Sequence, residues 1–144
     1  MRRHIPGLHS RQHDGDRPLE GLFLVRVEWA SYRWHPKKAF VLIRFVVLEP
    51  ESFERRSFSG RLYCTERALW KLNWFLRDFG YDMELFSQDQ MDEKSLINLR
   101  GVVRTTHVTL NGQTFQNLEA FAPATVWEEL SRADASEAQA QEQR

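Results

Sequence analysis

The sequence predicts a mainly β fold of five strands with one α-helix between the third and fourth strands. Residues 22–29 and 39–48 are rich in β-branched and aromatic side chains and alternate with single charges, which is typical of strands with one buried face. A third alternating segment is followed by leucines at helical spacing. Asn111-Gly112 then joins two further alternating segments, and this dipeptide is the strongest short-range hairpin signal.

The first two strands form a hairpin whose inner face can be read from the alternation. We expect the first strand to bury the side chains that share one face: Phe23, Val25, Val27 and Trp29. We expect the second strand to bury a matching row: Val41, Ile43, Phe45 and Val47. The opposite face of the second strand is partly apolar as well, and it carries Phe40, Leu42, Arg44, Val46 and Leu48.

A third strand and the helix come next. Residues 57–64 alternate, and Gly60 inside this strand predicts a bulge or a sharp bend. Thr65 predicts the N-cap of a helix that ends at Phe79, with Gly80 as its stop. The expected buried stripe of this helix is Leu69, Leu72, Leu76 and Phe79, extended by Trp70 and Trp74.

The remaining segments complete the predicted domain. Residues 81–98 are acidic and irregular, with a short helix expected near Asp92–Asn98. Residues 101–110 and 113–121 are the last two strands, and residues 127–130 are compatible with one helical turn. This order of elements is that of the OB-fold, a five-stranded Greek-key barrel in which the helix plugs one end.

The chain divides by composition into three parts. Residues 1–18 mix Arg, His, Asp, Gly and Pro without a period, which predicts a flexible N-terminal arm. Residues 19–127 form the predicted OB-fold domain. Residues 128–144 are rich in Ala, Gln and Glu and predict a flexible polar, acidic C-terminal tail.

Charge and cysteine content narrow the class of protein. The 144 residues have a formal net charge of zero, which argues against an indiscriminate basic nucleic-acid binder. The charge is uneven, however, because residues 20–64 carry a net +3 and residues 65–99 a net −3. The only cysteine, Cys64, excludes an internal disulfide. No apolar run suits a membrane span or a signal peptide, so we expect a cytoplasmic protein.

Four segments of the chain together resemble a known family. They are residues 21–30 (GLFLVRVEWA), the Lys37-Lys38 turn before a strand ending in FVVL, residues 61–72 (RLYCTERALWKL), and residues 111–121 (NGQTFQNLEAF). They are similar to phage-associated OB-fold proteins, originally a domain of unknown function, that bind single-stranded DNA. The similarity covers roughly residues 20–123.

The resemblance implies a role in phage or prophage replication or recombination, through non-sequence-specific backbone contacts and base stacking. It also implies that replication or recombination proteins are partners of the C-terminal tail. Two features depart from the pattern. The tail ends in Gln143-Arg144 rather than an apolar residue, and Trp34-His35-Pro36 stands in the first turn where a glycine is usual.

Binding of a single strand needs cations near the phosphates and flat rings for the bases. The predicted sheet and its loops offer both kinds of side chain. The candidate nucleic-acid-binding residues are Tyr32, Arg33, Trp34, Lys37, Lys38, Phe40, Arg44, Arg55, Arg56, Arg61 and Tyr63. The alternative is a purely structural role, in which these charges form a solvated face and the rings cover the core.

Two other classes of function compete with this hypothesis. An OB-type protein–protein interaction module, or a homo-oligomer, would use the apolar outer face of the second strand. An enzyme is not expected, because His35 and His107 lack partner motifs and no phosphate loop or hydrolase signature is present. No cofactor or metal is expected either. The histidines and aspartates of residues 4–16 lack the spacing of a metal site, and an acidic cluster at residues 89–93 reads as a solvated loop.

Overall fold

The five strands form one antiparallel sheet in a computed structural model that describes residues 2–3 and 19–142, with side chains described as far as Glu137. The strands are β1 (Gly21–Arg33), β2 (Phe40–Glu49), β3 (Ser57–Tyr63), β4 (Arg100–Leu110) and β5 (Gln113–Pro123). Their spatial order is β3-β2-β1-β4-β5. The predicted mainly β class and the predicted strands are thus confirmed.

Four helices accompany the sheet in the described part of the chain. They are α1 (Leu69–Asp78), α2 (Met83–Ser87), α3 (Glu93–Leu96) and α4 (Trp127–Glu142), with single 3-10 turns at Glu51–Phe53 and Ala124–Val126. Three of the helices lie between β3 and β4, where the sequence predicted the long helix and one short helix. The short helix expected near residues 92–98 is α3. Asp82 and Asp92 cap α2 and α3. The Asp82 side chain accepts from the N–H groups of Glu84 and Leu85, and the Asp92 side chain accepts from the N–H of Lys94.

The inner face of the sheet is the one that the alternation predicts. The whole predicted row of β2, from Val41 to Val47, is buried, and so are Phe58 and Leu62 of β3. In β1, Phe23, Val25 and Val27 are also buried.

Trp29 is the exception, because it lies outside the core and is 40% exposed. Val27 pairs with Phe45 and Trp29 pairs with Arg44, so the intervening Glu28 is an extra residue in β1. Such a β-bulge reverses the alternation beyond it. Ala30 therefore takes the buried position, opposite Ile43, and the prediction that Trp29 belongs to the inner face was wrong.

Helix α1 packs on the inner face of the sheet through a cluster of phenylalanine rings. Phe75 lies 5.4 Å from Phe121 of β5 and 6.0 Å from Phe45 of β2, measured between ring centroids. Phe79 joins the cluster and lies 5.9 Å from Phe45. An added Cβ at Gly101 would overlap the Phe79 ring, so β4 approaches the helix end closely because it has no side chain there.

The buried stripe of α1 differs from the predicted one. Leu72 and Leu76 are buried as expected, and Phe75 is buried with them. Leu69 and Trp70, by contrast, are exposed. The helix also begins later than expected, at Leu69. The Thr65 carbonyl accepts hydrogen bonds from the N–H groups of Ala68 and Leu69, but no side chain caps the helix. Gly80 ends α1 as predicted, with φ at +75°.

Tyr81 holds the irregular segment that follows α1. Its buried phenol donates to the carbonyl of Gln90 at 2.9 Å and accepts from the N–H of Asp92 at 2.8 Å. These two bonds span the loop that contains α2, so one side chain ties both ends of that loop to the core.

Gly60 does not form the predicted bulge but allows a close approach between two strands. The β2–β3 register runs without a shift from Phe40 opposite Tyr63 to Val46 opposite Ser57. An added Cβ at Gly60 would lie 2.5 Å from Cγ of Leu118, a buried residue of β5. The glycine therefore lets β3 and β5 approach each other at the two ends of the sheet order, where no ladder joins them. This approach gives the sheet a barrel-like shape.

The C-terminal segment was predicted to hold at most one helical turn, and this prediction was wrong. Helix α4 continues from Trp127 to Glu142, since Ala, Gln and Glu are strong helix formers even without an apolar stripe. Trp127 is buried, and Asp134 accepts a hydrogen bond at 3.1 Å from Arg104 of β4. The first half of α4 therefore rests on the sheet.

Most of the predicted N-terminal arm, including the histidines and aspartates of residues 4–16, lies outside the described residues. The division into arm, domain and tail stays a prediction. No helix in the described part of the chain is both long and apolar enough to cross a membrane.

We expect Gly60→Ala to destabilise the fold by about 1–3 kcal/mol, because the new methyl group overpacks a full core. The measurement is urea-induced unfolding followed by tryptophan fluorescence. Ser59→Ala is the matched control on the exposed face of the same strand and should stay within about 0.5 kcal/mol of the parent. Equal stability of Gly60→Ala and Ser59→Ala would contradict the close approach of Leu118.

Candidate nucleic-acid interface

The outer face of β1, β2 and β3 presents three cross-strand rows. The register places the rows as Arg33–Phe40–Tyr63, Ser31–Leu42–Arg61 and Trp29–Arg44–Ser59. Directly opposed residues of an antiparallel pair lie on the same face of the sheet. The structure thus brings five of the predicted site residues together on one face: Arg33, Phe40, Arg44, Arg61 and Tyr63.

Guanidinium groups stack on rings in this face. The Arg61 guanidinium carbon lies 4.6 Å from the centroid of the Phe40 ring, and that of Arg33 lies 5.9 Å from the Trp29 ring. The Phe40 and Tyr63 rings lie 5.7 Å apart. A stacked guanidinium keeps its N–H groups at the edge of the plane, where they can donate to phosphate oxygens. The face therefore combines both types of group that a single strand requires.

Arg44 is partly neutralised. Its Nε lies 3.4 Å from a carboxylate oxygen of Glu28, the extra residue of the β1 bulge. Both side chains are about half exposed, so this ion pair contributes little to stability. The Glu28 carboxylate nevertheless weakens the attraction of Arg44 for a phosphate.

The β1–β2 loop carries three further predicted residues. His35 holds its turn, because Nδ1 accepts hydrogen bonds at 3.0 Å from the backbone N–H groups of both Lys37 and Lys38. Trp34 is 74% exposed, the highest value for any large apolar side chain in the described part of the chain. Tyr32 pairs with Val41 and so belongs to the inner face, at the open end of β1, and not to the outer one.

Arg55 and Arg56 are not near the first loop. They follow β2, whereas Lys37 and Lys38 precede it, and a ten-residue strand separates the two loops by about 30 Å. Arg56 packs over the Phe53 ring at 5.7 Å. The predicted basic residues of the two loops therefore form two separate regions.

A groove of about 500 Å³ adjoins the outer face. One wall is formed by β2 and β3, and the other by the tip of the β4–β5 hairpin. The lining residues are Leu42, Ser59, Gly60, Arg61, Tyr63, Val108, Leu110, Phe115, Gln116, Asn117 and Leu118. Asn111 and Gly112 both have positive φ, which gives the tight turn that the sequence predicts.

The residues that line the groove attract an anion only weakly, and only near Arg61. Arg61 is the only charged residue among the described lining residues, and no carboxylate is among them. The other walls are apolar or carry neutral amides and hydroxyls. Such a lining suits flat bases more than a dense array of phosphates.

Among the described residues, the two groups with shifted pKa values, Cys64 and Lys71, both lie outside the groove. Burial raises the pKa of the Cys64 thiol, which disfavours the reactive thiolate. Burial lowers the pKa of Lys71 on α1, and the nearby Glu119 carboxylate opposes that effect. Among residues 2–3 and 19–142, no cluster of His, Cys, Asp and Glu side chains could hold a metal ion.

Sequence reasoning missed two exposed rings. Trp29 reaches the outer face through the bulge, and Phe115, 45% exposed, lines the groove from the hairpin tip. Phe115 lies beyond the strand pairing of β1 and β4, which ends at Gly21 opposite Thr105. No signal in the sequence shows that this part of the hairpin extends beyond β1.

A comparison of the chain with models of known protein families gives no match, and a comparison with curated protein sequences gives none either.

We expect Trp29→Ala to cost only about 1 kcal/mol of folding stability, because the ring packs on the outside of the sheet. Phe45→Ala, which removes a ring from the core, should cost about 3–5 kcal/mol. Urea unfolding monitored by circular dichroism measures both free-energy changes. A loss for Trp29→Ala as large as that for Phe45→Ala would place the tryptophan in the core and contradict the bulge.

Proposed function

We propose that the chain is an OB-fold protein that binds single-stranded nucleic acid, with single-stranded DNA as the natural ligand. The strand order and the position of α1 between β3 and β4 support the fold. In OB-folds the face of the second and third strands binds oligonucleotides, flanked by the first and last hairpin loops. We expect the bases and phosphates of the ligand to lie on the corresponding face and in the groove of this chain.

The observation that carries the proposal is the alternation of rings and guanidinium groups along one face. Arg61 over Phe40, with Tyr63 beside it, gives a stacking surface edged by N–H donors. Phe115 faces this surface from the other wall of the groove. Stacking on aromatic rings tolerates any base, so we expect binding without strong sequence preference.

Binding of this kind fits the phage or prophage replication or recombination role that the family resemblance implies. It needs no catalytic group, and the proposal includes none. Replication or recombination proteins as partners remain part of the proposal, through residues 128–144.

The competing function is a protein–protein interaction module without nucleic-acid binding. The exposed apolar side chains of the hairpin tip favour it: Val108, Leu110 and Phe115. The outer-face residues on which this alternative first rested, such as Leu42 and Val46, are half-buried within the chain itself and offer less contact area. Salt separates the two functions, because phosphate binding weakens steeply with salt whereas an apolar contact does not.

We expect Lys37→Ala with Lys38→Ala to weaken binding of fluorescent oligo-dT and to flatten its salt dependence. Each lost phosphate contact should lower the slope of log affinity against log salt by about 0.7. Arg77→Gln on α1 is the control and should leave the slope unchanged. If the double variant keeps the slope of the parent, the first loop does not contact phosphate.

We expect Phe115→Ala to cost about 1–3 kcal/mol of binding to the same oligo-dT, with little change in slope, because it removes a stacking platform. Trp34→Ala should behave likewise if the loop ring also stacks on a base. Trp70→Ala is the matched control, since Trp70 is 63% exposed but lies on α1. Binding lost equally with Phe115→Ala and Trp70→Ala would contradict the groove assignment.

A further inference from the structure

Two large apolar side chains stand uncovered next to each other at the start of α1. Leu69 is 46% exposed and Trp70 is 63% exposed, whereas Leu72 and Leu76 of the same helix are buried. Core packing therefore accounts for the later leucines of α1 but not for Leu69 and Trp70. Adjacent apolar side chains that a fold leaves exposed are typical of a surface that another molecule covers.

The exposed Trp70 ring is held in place by its neighbour one turn further along the helix. The Trp70 and Trp74 rings stack with their centroids 6.3 Å apart and their planes inclined by 24°. Trp74 is fixed in turn, because its indole N–H donates to Oδ2 of Asp78 at 2.7 Å and its ring packs edge-on against Phe121. A ring that is already fixed loses little freedom when a partner covers it. Trp70 thus has the properties of a binding hot spot.

A groove of about 450 Å³ begins at Leu69, and we call it the α1 groove. Leu69, Leu72 and Leu76 form its helix side. The half-buried side chains of Phe86 and Met91, at the end of α2 and in the loop after it, form the other side. Methionine adapts its shape readily to a bound apolar group. The α1 groove therefore offers an apolar, adaptable floor beside a fixed tryptophan.

Negative charge borders the α1 groove. Asp89 lines it and is the one charged residue among its described lining residues. The stretch from residue 78 to residue 93 contains no Lys or Arg, although Arg77 and Lys94 flank it. In the described part of the chain, no ion pair involves a carboxylate of this stretch. The carboxylates of the stretch are Asp78, Asp82, Glu84, Asp89, Asp92 and Glu93.

This charge decides which occupant fits the α1 groove. Nucleic acid and anionic lipid headgroups carry phosphates, which the carboxylates repel. A second copy that bound through the same surface would bring two acidic stretches together, at a similar cost. A protein segment with apolar side chains on one face and Lys or Arg on the other satisfies both features. Its apolar face fills the groove, and its cations meet the carboxylates.

We propose that the α1 groove is a docking site for a basic amphipathic segment of a protein partner. Leu69 and Trp70 contact the apolar side chains of that segment, and Asp89 with its neighbouring carboxylates contacts the Lys and Arg side chains. The α1 groove shares no described lining residue with the groove assigned to nucleic acid. The inference therefore does not depend on the proposed function, and each can fail without the other.

The test titrates a fluorescein-labelled synthetic peptide into the full-length chain and follows the anisotropy. The peptide carries leucines at helical spacing on one face and lysines on the other. A peptide of the same pattern with glutamate in place of lysine is the matched control. We expect the lysine peptide to bind, with an affinity that falls as salt rises, and the glutamate peptide not to bind.

Two variants locate the binding site of the lysine peptide. Trp70→Ala should weaken binding at least about tenfold, because it removes the fixed ring. Asp89→Asn should weaken binding severalfold and reduce its salt dependence, because it removes the carboxylate that lines the groove. Asparagine tolerates the positive φ of Asp89, so this variant keeps the backbone as it is. Phe115→Ala and Glu129→Gln change an exposed ring and an exposed carboxylate elsewhere and should bind the peptide like the parent.

Thermal melting shows that each variant is folded, and three outcomes overturn the inference. The first is parental affinity for the lysine peptide in both folded variants. The second is equal binding of the lysine and glutamate peptides. The third is a dimer, detected by light scattering, that dissociates in Trp70→Ala, because the patch would then belong to a second copy. A parent chain that binds the lysine peptide but not oligo-dT supports this inference and overturns the proposed function.

Discussion

The packing of Phe75 of α1, and of Phe79 at its C-terminal end, against Phe45 and Phe121 is the constraint on which the rest of the structure depends. These rings join β2 and β5, which are not neighbours in the sheet, through a helix that lies across its inner face. The sheet must curve for both strands to reach the same helix. Two glycines allow this curvature, since Gly101 leaves space for Phe79 and Gly60 leaves space for Leu118. Curvature in turn brings the β4–β5 hairpin beside β3 and creates the groove.

The β1 bulge determines what the outer face can do. With Glu28 as the extra residue, Trp29 and Arg33 point outward together, and the inner face remains filled by Ala30. The same residue places a carboxylate beside Arg44. One insertion in the strand therefore adds a ring to the candidate interface and removes part of a positive charge from it. This balance agrees with a face that uses stacking more than charge.

The inner face of β2 and the Asn111-Gly112 turn could be predicted from sequence, because both depend on local alternation and local backbone preference. The bulge could not, since the position of an extra residue is set by the partner strand and leaves no mark in the alternation of residues 22–29. Gly60 suggested an irregular strand, but its reason lies in Leu118, 58 positions away in the sequence. The position of Phe115 at the groove depends on the curvature that the helix imposes, which is a tertiary property.

Photo-crosslinking tests the central proposal most directly, since it identifies the side chains that touch the bases. Oligo-dT carrying a photoreactive thymine analogue is bound to the full-length chain and irradiated, and the crosslinked peptides are identified by mass spectrometry. We expect crosslinks at Trp29, Phe40, Tyr63 or Phe115 and none at Trp70, whose exposed ring on α1 serves as an internal control. Crosslinks concentrated at Trp70, or spread over exposed rings without preference, would contradict the assignment of nucleic acid to the groove.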